Sequence, residues 1–173
     1  KSEHSLWHTM KKIAVIGAGV IGINSVLQLI EERTKSDAEN ECKIVWIYDT
    51  SIDIFGIGES TTPSLSGQIA SPPSYLRYDS KDYFDATIKF GNRFIGWGKN
   101  GGDFTRYFPM SRAAIHSDTR LFSSFFIEHL NSETCYNFEA RDTKIKSIIF
   151  DEDPIGGHCF GVYIDGESYD FVL

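Results

Sequence analysis

The sequence predicts an α/β fold, and three observations near its start carry that prediction. Lys12-Ile13-Ala14-Val15-Ile16 is an apolar run of strand length that ends in Gly17-Ala18-Gly19-Val20-Ile21-Gly22. From Val20 the apolar residues Ile23, Val26, Leu27 and Ile30 recur at three- and four-residue steps, the spacing of one helix face. A second run, Lys43 to Tyr48, is rich in β-branched and aromatic residues and closes on Asp49. Strand, glycine turn, helix and strand make one β-α-β unit of the Rossmann-like kind.

The remaining elements are read in order. Thr34 to Glu41 is a polar loop, and Ser51 to Asp79 carries Gly56, Gly58, Pro63, Gly67 and Pro72-Pro73, which bars a continuous helix and predicts a long functional loop with one short helix at most. Ala86 to Phe94 and Phe104 to Phe108 read as extended, with the glycine-rich turn Gly96 to Gly102 between them. Asp118 offers a helix N-cap, and Leu121, Phe122, Phe125, Phe126 and Leu130 form an apolar stripe that Asn131 ends. The tail reads as an added antiparallel β meander: Thr143 to Phe150, Cys159 to Ile164 and Ser168 to Leu173, the last two joined by Asp165-Gly166, a hairpin signal. The chain stops at Phe171-Val172-Leu173 in mid-strand, so the expectation is an incomplete domain: residues 1–10 an upstream extension, residues 11–173 the N-terminal part of a domain truncated at its C-terminus.

Composition narrows the function. The 17 Lys plus Arg against 24 Asp plus Glu give a net charge of −7, and no basic run compensates, which argues against a nucleic-acid partner. Apolar residues are 41% of the 173, with 13 Phe and 8 Tyr, enough for a sizeable core. No run approaches the roughly 18 apolar residues of a membrane span, and Lys1 to Thr9 lack the apolar centre of a signal peptide. Cys42, Cys135 and Cys159 are odd in number and far apart, so neither a disulfide framework nor a metal site is indicated, and a cytoplasmic setting is expected.

The chemistry is written first in the glycine turn. Gly17 permits the tight turn, Gly19 lets a backbone approach a diphosphate, and Gly22 lets the helix pack on the strand, while the helix N-terminus offers free N–H groups and a positive dipole end. Asp49 is placed to accept from a ribose hydroxyl; it lies 27 residues after Gly22, and the polar Thr34 to Glu41 loop accounts for the excess over the usual interval of about 20. A nicotinamide and a flavin dinucleotide both satisfy this pattern.

The loop beyond Asp49 decides between them. Phe55-Gly56-Ile57-Gly58-Glu59-Ser60-Thr61-Thr62-Pro63 together with the glycine fingerprint resembles the flavin-dependent tryptophan halogenase family, whose members show G-x-G-E-[AS]-T-x-P shortly after the second strand of an FAD-binding Rossmann unit. Thr87-Ile88-Lys89-Phe90, with Trp97 at a longer interval, is similar to the family's A-I-K-F-x-x-W, and Ala114-Ile115-His116-Ser117-Asp118 to its A-x-H-x-D. Gly166 to Leu173 resembles the approach to its next flavin-contacting strand.

The resemblance implies FAD as cofactor, with Gly17, Ala18, Gly19, Val20, Ile21 and Gly22 on the diphosphate and Gly58, Glu59, Ser60 and Thr61 in a strap along the flavin. It further implies a flavin reductase as the source of reduced FAD, a small aromatic substrate such as tryptophan, a halide, and halogenation through a flavin hydroperoxide and hypohalous acid passed to a catalytic lysine. Four residues before Lys89, where the family has that lysine, stands Asp85. An aspartate has no N–H to hold hypohalous acid, so this position lacks the group that the resemblance assigns to the halogenating step. Lys89 reads as a solvated strand lysine and His116 as a capping or core group. Two alternatives stand beside this reading: an NAD(P)-dependent Rossmann oxidoreductase and a non-catalytic flavin-binding module.

Overall fold

Two apolar strands of the same direction, each buried on both faces, set the frame of the protein. The computed structural model describes residues 10–35, 42–54, 59–64, 80–109, 113–131, 137–150, 159–163 and 167–173. Of the expected upstream extension only Met10 is among them, and the expected turn at Asp165-Gly166 lies outside them. The described elements are β1 (Lys11–Ile16), α1 (Val20–Lys35), β2 (Cys42–Tyr48), β3 (Glu59–Ser60), α2 (Ser80–Phe84), β4 (Thr87–Lys89), β5 (Gly91–Phe94), β6 (Phe104–Tyr107), β7 (Ala114–Ser117), α3 (Thr119–Asn131), β8 (Phe138–Asp142), β9 (Ser147–Phe150), β10 (Cys159–Tyr163) and β11 (Phe171–Val172). They fall into two compact units, Lys1–Asp53 with Phe126–Leu173, and Ile54–Phe125.

In the first unit a parallel sheet runs β11-β1-β2-β8. β1 and β2 pair from Lys11 with Cys42 through Ile16 with Ile47. Their side chains alternate between two covered faces, which is why both read as unbroken apolar runs. On one face Ala14, Val45 and Ile47 pack with Val162 and Tyr169. The alternate residues Val15, Ile44, Trp46 and Tyr48 are also buried, and α1, whose Ile23, Val26, Leu27 and Ile30 are buried, contacts both strands.

Three strands correct the sequence reading here. Phe138–Asp142 is assigned no element in the sequence reading, and β8 there pairs in parallel with β2 along its length. The run from Thr143 is extended strand only from Ser147. The expected third strand of the meander, Ser168 to Leu173, leaves it: Ser168 keeps one antiparallel bridge to Gly161, and β11 then pairs in parallel with β1, with the Leu173 N–H on the Ala14 carbonyl at 2.9 Å and the Ile16 N–H on the Leu173 carbonyl at 2.8 Å. The antiparallel addition is thus the hairpin β9–β10.

The second unit holds two small antiparallel sheets, β3-β7-β4 and β5-β6. The single extended run expected over Ala86 to Phe94 is divided between them. At Gly91 a Cβ would collide with the Arg106 carbonyl oxygen, so the chain approaches β6 where it has no side chain, and β5 forms a new pair with β6 while β4 stays with β7. α2 buries Phe84 edge-on against Phe122 at 5.1 Å and Phe125 at 5.3 Å, the first two turns of the apolar stripe. As expected, Asp118 caps α3: its Oδ1 accepts from the Arg120 N–H at 2.8 Å.

A line of ion pairs ties the strands of the first unit. Glu139 on β8 takes Arg141 and Lys43, Arg141 reaches Glu167 at 3.1 Å, and Glu167 meets Lys12 at 3.6 Å. Hydrogen bonds from Arg141 first and Lys43 second draw the Glu139 carboxyl down to about 2. A carboxylate depressed in the folded state contributes stability that is complete above its ordinary value and lost as pH falls toward the folded one. Urea midpoints are therefore expected to fall between about pH 5 and pH 2, and Glu139→Gln to flatten that fall while lowering the neutral midpoint, a modest change because the pair is partly solvated.

Candidate functional site

The glycine turn between β1 and α1 is held by its own backbone. Gly17 has φ +101°, a left-handed conformation open to glycine. Its N–H donates to the Ile47 carbonyl at 2.8 Å, and its carbonyl oxygen accepts from the indole Nε1 of Trp46 at 2.9 Å. A Cβ at Gly22 would collide with that same carbonyl oxygen and lie 3.0 Å from the Gly17 carbonyl carbon, so the first turn of α1 rests directly on the strand end. At Gly19 a Cβ would meet nothing within 4 Å. The Ile23 N–H closes on the Gly19 carbonyl at 3.0 Å, which leaves the N–H groups before it in the unpaired first turn of the helix. Val20 and Ile21 open that turn, and Ile21 is 81% exposed.

Asp49 follows β2 directly. Its Oδ1 accepts from the Ser51 N–H at 2.9 Å and from the Ser51 hydroxyl, and these bonds hold its carboxyl below the usual carboxylate value. Its Oδ2 is shielded from solvent and has no hydrogen-bond partner among the described residues. The next residue, Thr50, is fixed by Asp142 at the end of β8, which accepts from both its N–H at 2.9 Å and its hydroxyl at 2.5 Å. An acceptor kept ionised, held by Ser51 through one oxygen and left with the other unpartnered among the described residues, has the chemistry to accept from a ribose hydroxyl.

In the second unit the strap residues are sewn into a sheet. Glu59 and Ser60 pair with Ser117 and His116 of β7. Thr61 continues the pairing through both its own N–H, 2.9 Å from the Ile115 carbonyl, and its hydroxyl oxygen, which accepts from the Ile115 N–H at 2.9 Å. Gly58 lies outside the described residues. His116 corrects the sequence reading: it is exposed on β7, neither cap nor core, and Asp118 does the capping. Lys89 is a second correction. It is 9% exposed, not solvated, with its Nζ 2.8 Å from the Ser60 hydroxyl and 5.6 Å from the centre of the Phe108 ring.

Asp85 ends α2 in the left-handed region, φ 49°, with its side chain exposed. This is the αL residue that terminates many helices, and Asp tolerates it better than most residues. Three residues with structural weight at these positions escape a reading of the sequence: Trp46 under the turn, Asp142 beside Asp49, and Lys89 beside the strap. Trp46 reads as an ordinary strand aromatic, and Asp142 lies on a strand that the sequence pattern does not predict.

The arrangement fits the diphosphate and ribose of a dinucleotide such as FAD. The backbone at Gly19 is open, the first turn of α1 carries no acidic side chain, and the shielded Asp49 Oδ2 lacks a partner among the described residues. Among the described residues no group of three or more His, Cys, Asp or Glu could hold a metal ion, and no helix is long and apolar enough to cross a membrane.

The family model described as tryptophan halogenase matches residues 12–155. No curated protein matches the sequence. Among solved structures, Xcc4156, a flavin-dependent halogenase from Xanthomonas campestris, is similar over 95% of this chain and 41% of its own, with 15% identity and a TM-score of 0.67. BrvH, a flavin-dependent halogenase from Brevundimonas sp. BAL3, shares 18% identity over 95% of this chain and 42% of its own, with a TM-score of 0.61. A tryptophan halogenase from Shewanella frigidimarina shares 15% identity over 94% and 42%, also with a TM-score of 0.61. The chain thus spans about two fifths of the length of these structures, and at such identities they show the fold alone.

The turn's own bonds give two expected outcomes. Gly22→Ala forces α1 off the strand and should cost about 1 to 3 kcal/mol. Trp46→Phe keeps most of the ring but leaves the Gly17 carbonyl without its donor, and should cost about 1 to 2 kcal/mol. Urea denaturation of the intact protein measures both.

Proposed function

The chain belongs to the tryptophan halogenase family, and from that premise we propose that it is the FAD-binding portion of a flavin-dependent, halogenase-like oxidoreductase acting on a small aromatic compound. One observation supports dinucleotide binding most directly, and the family makes that dinucleotide FAD: a left-handed glycine turn, pinned on both sides by β2, presents an open backbone at a helix start, and the acid after β2 keeps an oxygen with no partner among the described residues. Gly17, Ala18, Gly19, Val20, Ile21 and Gly22 would hold the diphosphate, Asp49 a ribose hydroxyl, and Glu59, Ser60 and Thr61 the edge of the flavin. A bound, reduced flavin would supply the activation of oxygen; a reductase would supply its electrons; the setting would be cytoplasmic. The chain's own contribution is to bind and orient the dinucleotide.

Asp85 favours a second reading beside halogenation. An exposed carboxylate at a helix end accepts protons and hydrogen bonds but offers no N–H to a hypohalous acid. On that reading the protein is a non-catalytic flavin-binding module.

Gly19→Asp tests the proposal cleanly, because its Cβ enters free space and the fold has no reason to object. Its carboxylate should lower FAD affinity of the intact protein at least about a hundredfold with an unchanged melting temperature. Undiminished FAD binding would remove the reading, and NAD(P) binding in place of FAD would redirect it to a nicotinamide enzyme. Asp85→Lys separates the two flavin readings. With reduced FAD, halide and an indole substrate, mass spectrometry should detect halogenated product from the lysine variant and little from the wild type; abundant product from the wild type would show that Asp85 is no obstacle.

A further inference from the structure

Lys89 is a buried cation whose contacts among the described residues are the Ser60 hydroxyl and the face of Phe108. Burying an ammonium away from a counter-charge costs several kcal/mol unless something is gained. The register shows how it reaches Ser60. On β7, His116 stands between Ser60 of β3 and Thr87 of β4, and Ala114 stands beside Lys89, so Ser60, His116, Ala114, Thr87 and Lys89 share one face of the sheet. Ser60 and Lys89 are separated by the whole width of β7, roughly two strand spacings of about 4.8 Å, and by one step along it. Ala114 has only a methyl group, which leaves room for the lysine stem to cross over β7 and end on the far strand. Phe108 holds the ammonium from a further side, and its own N–H is fixed on the Phe90 carbonyl at 2.7 Å.

We propose that Lys89 is a positioning residue whose ammonium, reaching across β7, locks Ser60 and with it the strap Glu59-Ser60-Thr61 in the conformation that accepts FAD. β3 is only two residues long, so its backbone pairing alone is a weak tether. The side-chain bond from Lys89 adds a third-strand anchor to it. The inference rests on the flavin reading above, and its test separates the two.

In the intact protein, Lys89→Met, Ser60→Ala and the double variant are compared by FAD titration, by the melting temperature without FAD, and by hydrogen exchange of the amides at Ser60 and Thr61 without FAD. Replacing a buried charge with an apolar chain of similar length is neutral or stabilising for the fold, so Lys89→Met should leave the melting temperature unchanged or raised. It should nonetheless speed amide exchange in the strap and weaken FAD binding about tenfold. Ser60→Ala should match that loss, and the double variant should lose no more than either single one, because both break the same bond. Wild-type exchange rates in Lys89→Met, or a double loss equal to the product of the single ones, would overturn the proposal. Faster exchange in the variant of a protein that binds no FAD would uphold the tether and instead remove the flavin reading.

Discussion

The grip of β2 on the residue that ends β1 is the constraint from which the first unit follows. Gly17 donates to Ile47 and accepts from Trp46, so its left-handed turn is specified by two residues of the neighbouring strand as well as by its own lack of a side chain. That grip exists only in one register of the two strands. A slip of one residue would send the indole to the other face of the sheet, away from the carbonyl, and would turn Val45 and Ile47 out of their cluster with Val162 and Tyr169. Core packing and turn geometry therefore demand the same pairing, and the helix start is presented as a consequence of a register that the core already fixes.

The second unit solves a related problem with shorter pieces. Its strands have two to four residues and its sheets two or three strands, too little for independent stability from pairing alone. Side chains make up the deficit. Thr61 duplicates a backbone bond through its hydroxyl, Lys89 bridges two strands across a third, and the aromatic group of Phe84, Phe122 and Phe125 supplies the apolar mass beneath α2. Glycine contributes by absence at Gly91, where β5 comes too close to β6 for any other residue.

What the sequence disclosed follows the strength of its local signals. β1, α1 and β2 combine long apolar periodicity with a glycine fingerprint, and the structure has them within a residue or two at each end. The same holds for α3, whose cap and stripe are both local. β8 is hard to see in the sequence because Phe138-Glu139-Ala140-Arg141-Asp142 alternates over only four residues and is built largely of Glu, Ala and Asp, which are depleted in strands: its charges are accommodated by Lys43 and Glu167, neighbours far away in sequence. β7 is too short to show a period. β11 reads as a hairpin partner because Asp165-Gly166 is a local signal, whereas its parallel partner β1 lies more than a hundred residues away and leaves no trace beside it. The glycine turn and Asp49 are legible as a site for the same reason as the first strands; Asp142 and the burial of Lys89 are not, since both arise from tertiary pairing.

Asp85 shows why a chemical role cannot be read from residue type alone. Its backbone lies at φ 49° because α2 must stop there: Phe84, the preceding residue, is fully buried, and its carbonyl is taken by the Asp118 N–H at 3.0 Å at the start of α3. The chain has to reverse immediately after Phe84 to begin β4, and a left-handed residue is the shortest way to do so. Aspartate and asparagine enter that region at lower cost than lysine does. The fold therefore supplies its own reason for an acid at this position, independent of any substrate, and a protein that carried a lysine here would hold it against a backbone preference of order 1 kcal/mol. In this chain the backbone need at the end of α2 and the choice of an acid therefore coincide at one residue.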